Sequence, residues 1–120
     1  MRQWLLEPVF MCGKHIGAEH LETHMFLSAM REGRSLQGFY DHGLFFGPKF
    51  LKERHDLLAF ELDGHQTPLE FDSEEFPDYP DVRITEEARE ESNRTLLTRC
   101  QSWREKGSSR PSHCNDWSIK

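Results

Sequence analysis

The segment from Lys14 to Gly33 constrains this chain more than any other. On a helical wheel at about 100° per residue, Ile16, Ala18, Met25, Phe26, Leu27, Ala29 and Met30 gather on one arc. That pattern predicts a core-facing helix from Cys12 or Lys14 to Glu32. Gly33 fits the C′ position, because glycine takes the left-handed conformation there without penalty. His15, Glu19 and Glu22 lie inside the same arc, all in the first half of the helix. The inward face is therefore polar at one end and apolar at the other. A buried carboxylate must find a partner or change its pKa, so this end is either a paired structural network or the floor of an active site.

A second helix is expected to begin at Pro48, a favoured first helical position, and to run through Phe50, Leu51, Leu57, Leu58 and Leu62 to a stop at Asp63-Gly64. Arg54 falls inside its apolar face. Its simplest partner is Glu19 or Glu22, since an arginine–carboxylate pair satisfies both charges. A third helix is expected from the N-cap Thr85, with Glu86 and Glu87 in the first turn, where the helix dipole favours anions, to about Trp103. Between the first two helices, Ser35 to Gly47 is rich in glycine and aromatics (Phe39, Tyr40, Phe45, Phe46) and reads as a packed irregular loop. No internal repeat and no alternating segment demands a strand. The expected fold is thus all-α: one compact domain of three main helices with irregular aromatic-rich and acidic loops, spanning 1–106, followed by a flexible tail over 107–120 that Trp117 could dock.

The 120 residues suit one core without a disulfide or structural metal. No apolar run approaches the ~20 residues of a membrane span, and Glu7 and Pro8 interrupt the opening apolar stretch, unlike a secretory signal. A monomer with no membrane contact, inside the cell, is expected. Cys12, Cys100 and Cys114 are odd in number and lack C-x-x-C spacing, which indicates neither a disulfide framework nor a cysteine zinc site.

The formal charge of −6 argues at first against a polyanion partner. It is unevenly distributed. Residues 1–56 carry seven basic against seven acidic groups and five of the seven histidines, whereas residues 57–97 carry three against twelve. Most of the acidity lies between Glu61 and Glu91, in a Pro-punctuated stretch that reads as a solvated loop. His20 and His24 are spaced i, i+4, which can present two imidazoles to a metal. The first helix offers no third ligand on that face, so no metal is assigned, and a His-based metal enzyme is the lesser alternative.

The run Lys14-His15-Ile16-Gly17-Ala18-Glu19-His20-Leu21-Glu22, followed by Phe50-Leu51-Lys52-Glu53-Arg54-His55-Asp56-Leu57-Leu58, resembles the pyrimidine-dimer DNA glycosylases of the phage endonuclease V type over residues 1–64. The resemblance implies a small all-α enzyme without cofactor or metal, cytoplasmic in a bacterial or virus-infected cell. It implies DNA repair by base excision with abasic-site lyase activity: an N-terminal α-amine attacks C1′ of the damaged nucleotide and a first-helix glutamate resolves the Schiff base by β-elimination. Glu22 falls on that glutamate and Met1 on the nucleophile. Arg2 behind Met1 disfavours methionine removal, so retention of Met1 is expected. An α-amine is a sensible nucleophile, being about 14% neutral at pH 7 against about 0.04% for a lysine, and a nearby carboxylate completes the acid–base chemistry.

In this reading His15 and Arg2 position the sugar-phosphate, Lys14, His20 and His24 are further candidate DNA contacts with Lys49 and Lys52 as additional cations, and Arg54 orients Glu19 or Glu22. Trp4, Trp103 and Trp117 could stack on bases, although each taken singly reads better as a core or docking residue. Leu21 and Met25 stand where the family carries arginines. The expected partner is damaged or modified duplex DNA, with single-stranded DNA or an abasic site as other substrates. The alternative from another class is a catalytically inactive DNA-binding or adaptor protein of the same fold.

Overall fold

A computed structural model describes residues 1–62, 69–101 and 114. All regular structure among them is helical: α1 (Gly13–Arg31), α2 (Gln37–Asp41), α3 (Pro48–Glu61) and α4 (Glu86–Gln101), with single 3-10 turns at Pro8–Phe10 and Ser73–Glu75. The protein is a small all-α domain. No described helix is long and apolar enough to cross a membrane.

α1 ends as its sequence requires. Gly33, at φ +71°, donates its amide to Met30 O at 3.1 Å, and Arg34 donates to Ala29 O at 3.0 Å, the paired bonds of a Schellman cap. α3 starts at Pro48 after Gly47, whose φ of +101° brings its backbone against Asp81; a Cβ there would lie 2.6 Å from Asp81 Cα and Pro80 O. At the head of α4, Thr85 Oγ1 accepts the Ala88 amide at 3.0 Å. Trp103 and Trp117, and the Asp63-Gly64 stop, lie outside the described residues. So does the expected tail apart from Cys114, which is buried in the core. The Ser35–Gly47 loop is more regular than expected, because Gln37–Asp41 forms the short helix α2.

Two apolar clusters form the interior. One joins Trp4, Leu6, Met11, Cys12 and Ile16 to Leu58, Leu96, Cys100 and Cys114, binding the chain start to α1, α3 and α4. The other packs Phe26, Leu27 and Met30 against Leu36, Phe45, Leu51 and Leu69, with Phe71, Phe76 and Tyr79 of the acidic stretch on its edge. Tyr79 Oη donates to Arg34 O at 2.6 Å, which anchors that stretch at the C-terminal end of α1. Glu22 lies nine positions before the last residue of α1, about 13.5 Å along the helix at 1.5 Å per residue.

The buried face of α1 differs from the expected arc. Met25 and Ala18 are exposed, while His20 and Thr23 are buried with Ile16, Glu19, Phe26, Leu27, Ala29 and Met30. α3 packs on the side of Glu19 and His20, and its polar side chains turn the face toward them. On α3 itself, Leu51 and Leu58 face inward but Leu57 is exposed.

Candidate active site

The site is assembled by the first residues of the chain, whose amides alternate between two neighbours. The Arg2 amide donates to Glu22 Oε1 at 3.0 Å and the Trp4 amide to Glu19 Oε2 at 3.1 Å. On the other side the Gln3 amide donates to Leu44 O at 2.8 Å, and Gln3 Oε1 accepts the Phe46 amide at 2.9 Å. Carboxylates three positions apart on a helix lie on one side of it, so Glu19 and Glu22 can take the even-numbered amides together. The clamp delivers the Met1 α-nitrogen to 3.9 Å from Glu22 Oε1.

The two carboxylates have different surroundings. Glu19 is fully buried and held by Arg54, Nε to Oε2 at 2.7 Å and Nη2 to Oε1 at 2.8 Å. Burial pushes its carboxyl above the ordinary range, while the Arg54 guanidinium and the Trp4 amide act against that. Arg54 also donates Nη1 to Leu6 O at 2.7 Å and Nη2 to Met11 Sδ at 3.2 Å. Of the two partners the sequence offered Arg54, the structure selects Glu19. Glu22 is half-buried, beside the amine and the Arg2 amide.

Positive charge gathers on the adjacent indole. The Arg2 guanidinium carbon lies 3.7 Å from the Trp4 ring centroid and that of Arg99, from α4, at 5.5 Å, both within cation–π range. Burial, reinforced by Arg99, lowers Arg2 to about 10; it remains cationic at neutral pH. Its Nε is buried with no hydrogen-bond partner among the described residues. A cation cluster beside an amine and a carboxylate is suited to an anionic sugar-phosphate. The sequence does not single out Arg99, because α4 carries mixed charges and no pattern marks which of them reaches Trp4.

The remaining DNA-facing candidates separate. Lys14 is exposed at the start of α1, as are Leu21 and Met25 further along it, whereas Lys49 lies at the start of α3 and Lys52 one turn later. His15 is half-buried, its Nδ1 3.1 Å from Cys12 Sγ and its ring edge-on to Trp4. His20 departs from expectation: it is buried, and its Nε2 lies 3.2 Å from His55 Nε2, so its ring is withdrawn from solvent. Trp4 is buried beneath the arginines, in keeping with its reading as a core residue rather than a base-stacking one.

Two groups of side chains have the composition and proximity to hold a metal. His20, His24 and His55 form one, and Cys12, His15, Cys100 and Cys114 the other, the ligand atoms of each lying within 4.8 Å of one another. The third imidazole absent from α1 is thus supplied by α3. His55 could have been found from its place on the apolar stripe, four residues after Leu51 and three before Leu58. Its Nδ1 lies 3.1 Å from Asp56 Oδ1, which leaves Nε2 to accept from His20, so hydrogen bonds suffice to order these two rings. No protein-family model, curated protein or solved structure matches this chain.

Proposed function

We propose that the protein is a DNA glycosylase with abasic-site lyase activity, with the Met1 α-amine as nucleophile and Glu22 as acid and base. The observation that carries this reading is the 3.9 Å approach of the Met1 nitrogen to Glu22 Oε1, in a chain whose first four residues are clamped from both sides. The amine nitrogen bonds to C1′ as the bond from C1′ to the base breaks, and the departing base takes up a proton. Opening of the sugar ring gives a Schiff base. Glu22 then removes a proton from C2′, the C3′–O bond breaks with departure of the 3′ phosphate, and water hydrolyses the imine to restore the amine.

Arg2 and Arg99 supply cationic contacts for the flanking phosphate. The target nucleotide must leave the helical stack to reach the amine. Pyrimidine dimers are the substrate that the family resemblance implies; another damaged or modified base, or an abasic site, suits the same chemistry. With uncharged Leu21 and Met25 exposed at the family's arginine positions, DNA affinity is expected to be modest and strongly dependent on salt. The acidic stretch, anchored at the far end of α1, is kept from the proposed groove. The enzyme needs no cofactor for these steps and acts as a monomer.

The test is borohydride trapping on an abasic-site duplex, with the adduct mapped by peptide mass. The expected result is one covalent adduct at residue 1, and strand cleavage reduced roughly 100-fold or more in Glu22→Gln, whose amide oxygen can still accept the Arg2 N–H. No adduct, an adduct on a lysine, or undiminished cleavage by Glu22→Gln would overturn the mechanism. A folded protein that binds DNA without cleaving it would favour the inactive DNA-binding or adaptor reading.

A further inference from the structure

All three cysteines, from segments far apart in sequence, converge with one histidine. Cys12 is the N-cap of α1 and His15 stands one turn into that helix; Cys100 lies in the last turn of α4; Cys114 is buried against them at 4% exposure. We propose that Cys12, His15, Cys100 and Cys114 bind one zinc ion in a tetrahedral Cys3His site that fastens α4 and Cys114 to the start of α1. This goes beyond the glycosylase reading and does not depend on it.

The distances are those of a ligand shell. With zinc–sulfur bonds of about 2.3 Å and zinc–nitrogen bonds of about 2.0–2.1 Å, tetrahedral coordination separates two sulfurs by roughly 3.8 Å and a sulfur from a nitrogen by roughly 3.5 Å. Cys12 Sγ and Cys100 Sγ are 3.9 Å apart; His15 Nδ1 lies 3.1 Å from Cys12 Sγ and 3.6 Å from Cys114 Sγ. All four ligand atoms fall within 4.8 Å of one another. A disulfide needs a sulfur separation of about 2.05 Å, well below the 3.9 Å between Cys12 and Cys100, and would leave the third sulfur over.

The backbone around the sulfurs fits thiolates. The Cys114 amide donates to Cys100 Sγ at 3.0 Å, and the Cys12 amide to Cys114 Sγ at 3.3 Å. Such outer hydrogen bonds orient metal ligands and stabilise their charge. Binding releases one proton from each thiol and leaves a zinc centre of net charge −1. Lys14 and Arg99, whose charges both act on His15, are placed to balance it. Because Trp4 packs edge-on to His15 and carries Arg2 and Arg99 on its ring, the ion would also stiffen the support of that cation cluster.

The full chain, purified under reducing conditions, stripped of metal and reloaded with zinc, should retain one zinc ion per chain by native mass spectrometry, and a chelator should lower its melting temperature. Loaded with cobalt(II) instead, the unaltered protein should show thiolate-to-cobalt charge-transfer bands and the intense visible bands of a tetrahedral ion. Cys12→Ser and Cys114→Ser should weaken zinc binding on the order of 100-fold or more, whereas His20→Gln with His55→Gln should retain it. A folded chain that holds no zinc, a cobalt spectrum without thiolate bands, or zinc lost only from the His20 and His55 variant would overturn the assignment. The cobalt spectrum decides the matter even where a cysteine variant fails to fold.

Discussion

Arg54 holds both oxygens of Glu19, with contacts of 2.7 and 2.8 Å in the interior between α1 and α3. The same guanidinium reaches Leu6 O and Met11 Sδ, and Glu19 in turn accepts the Trp4 amide. One arginine therefore fastens the first eleven residues to both helices. Glu19 is committed to this scaffold, and Glu22, one turn along α1, is the carboxylate that remains beside the terminal amine.

Arg54→Leu is expected to cost about 3–5 kcal/mol of stability, because it leaves a fully buried carboxylate without its counter-charge. Urea denaturation should show the loss as a lower midpoint. Replacing Glu19 and Arg54 together by apolar residues should recover part of it, since no lone charge then stays buried, although the Trp4 amide and Leu6 carbonyl lose their partners. An Arg54→Leu protein as stable as the unaltered one would mean that the pair does not hold the N-terminal segment.

Arg2 and Arg99 share the Trp4 ring, so their removal should act on DNA binding through phosphate charge. Arg2→Ala or Arg99→Ala is expected to weaken binding to abasic duplex roughly tenfold and to lower the magnitude of the slope of log affinity against log salt by about one per lost phosphate contact. Fluorescence anisotropy across a salt series measures both quantities. Lys52→Ala serves as the comparison: its ammonium donates to Leu69 O at 2.6 Å and faces Asp56 at 3.6 Å, so its loss should leave the slope nearly unchanged.

Helix positions and caps were legible because they depend on local chemistry: Gly33, Pro48 and Thr85 each act where their residue type requires. The inward Arg54 was legible too, since a lone arginine on an apolar stripe needs a carboxylate. Choosing Glu19 over Glu22 was not, because both lie on one side of α1 and only the docking of α3 distinguishes them. The cysteine cluster was hidden for a related reason. Its ligands are brought together by the packing of α4 on the chain start, and sequence spacing carries no trace of a site assembled from separations of 88 and 14 residues. His20 misled because i, i+4 histidines look alike on a wheel whether they face solvent or another helix.

His20 gives the fold an expected weakness toward acid. Burial, together with His55 and His24, lowers its pKa from the ordinary 6.5 to about 4; His55 faces it from α3 with Asp56 behind, and His24 from its own helix. The unfolded chain therefore takes up a proton at this position near pH 6.5 while the folded chain resists until about pH 4. More protons are bound by the unfolded state across that interval, so the stability contributed by the neutral ring is present above pH 6.5 and lost as pH falls toward 4. Thermal melts from pH 7.5 to 4.5 should show the midpoint dropping by several degrees, with a shallower drop in His20→Gln, which cannot take up the proton. Parallel pH profiles for the two proteins would show that another group governs the acid response.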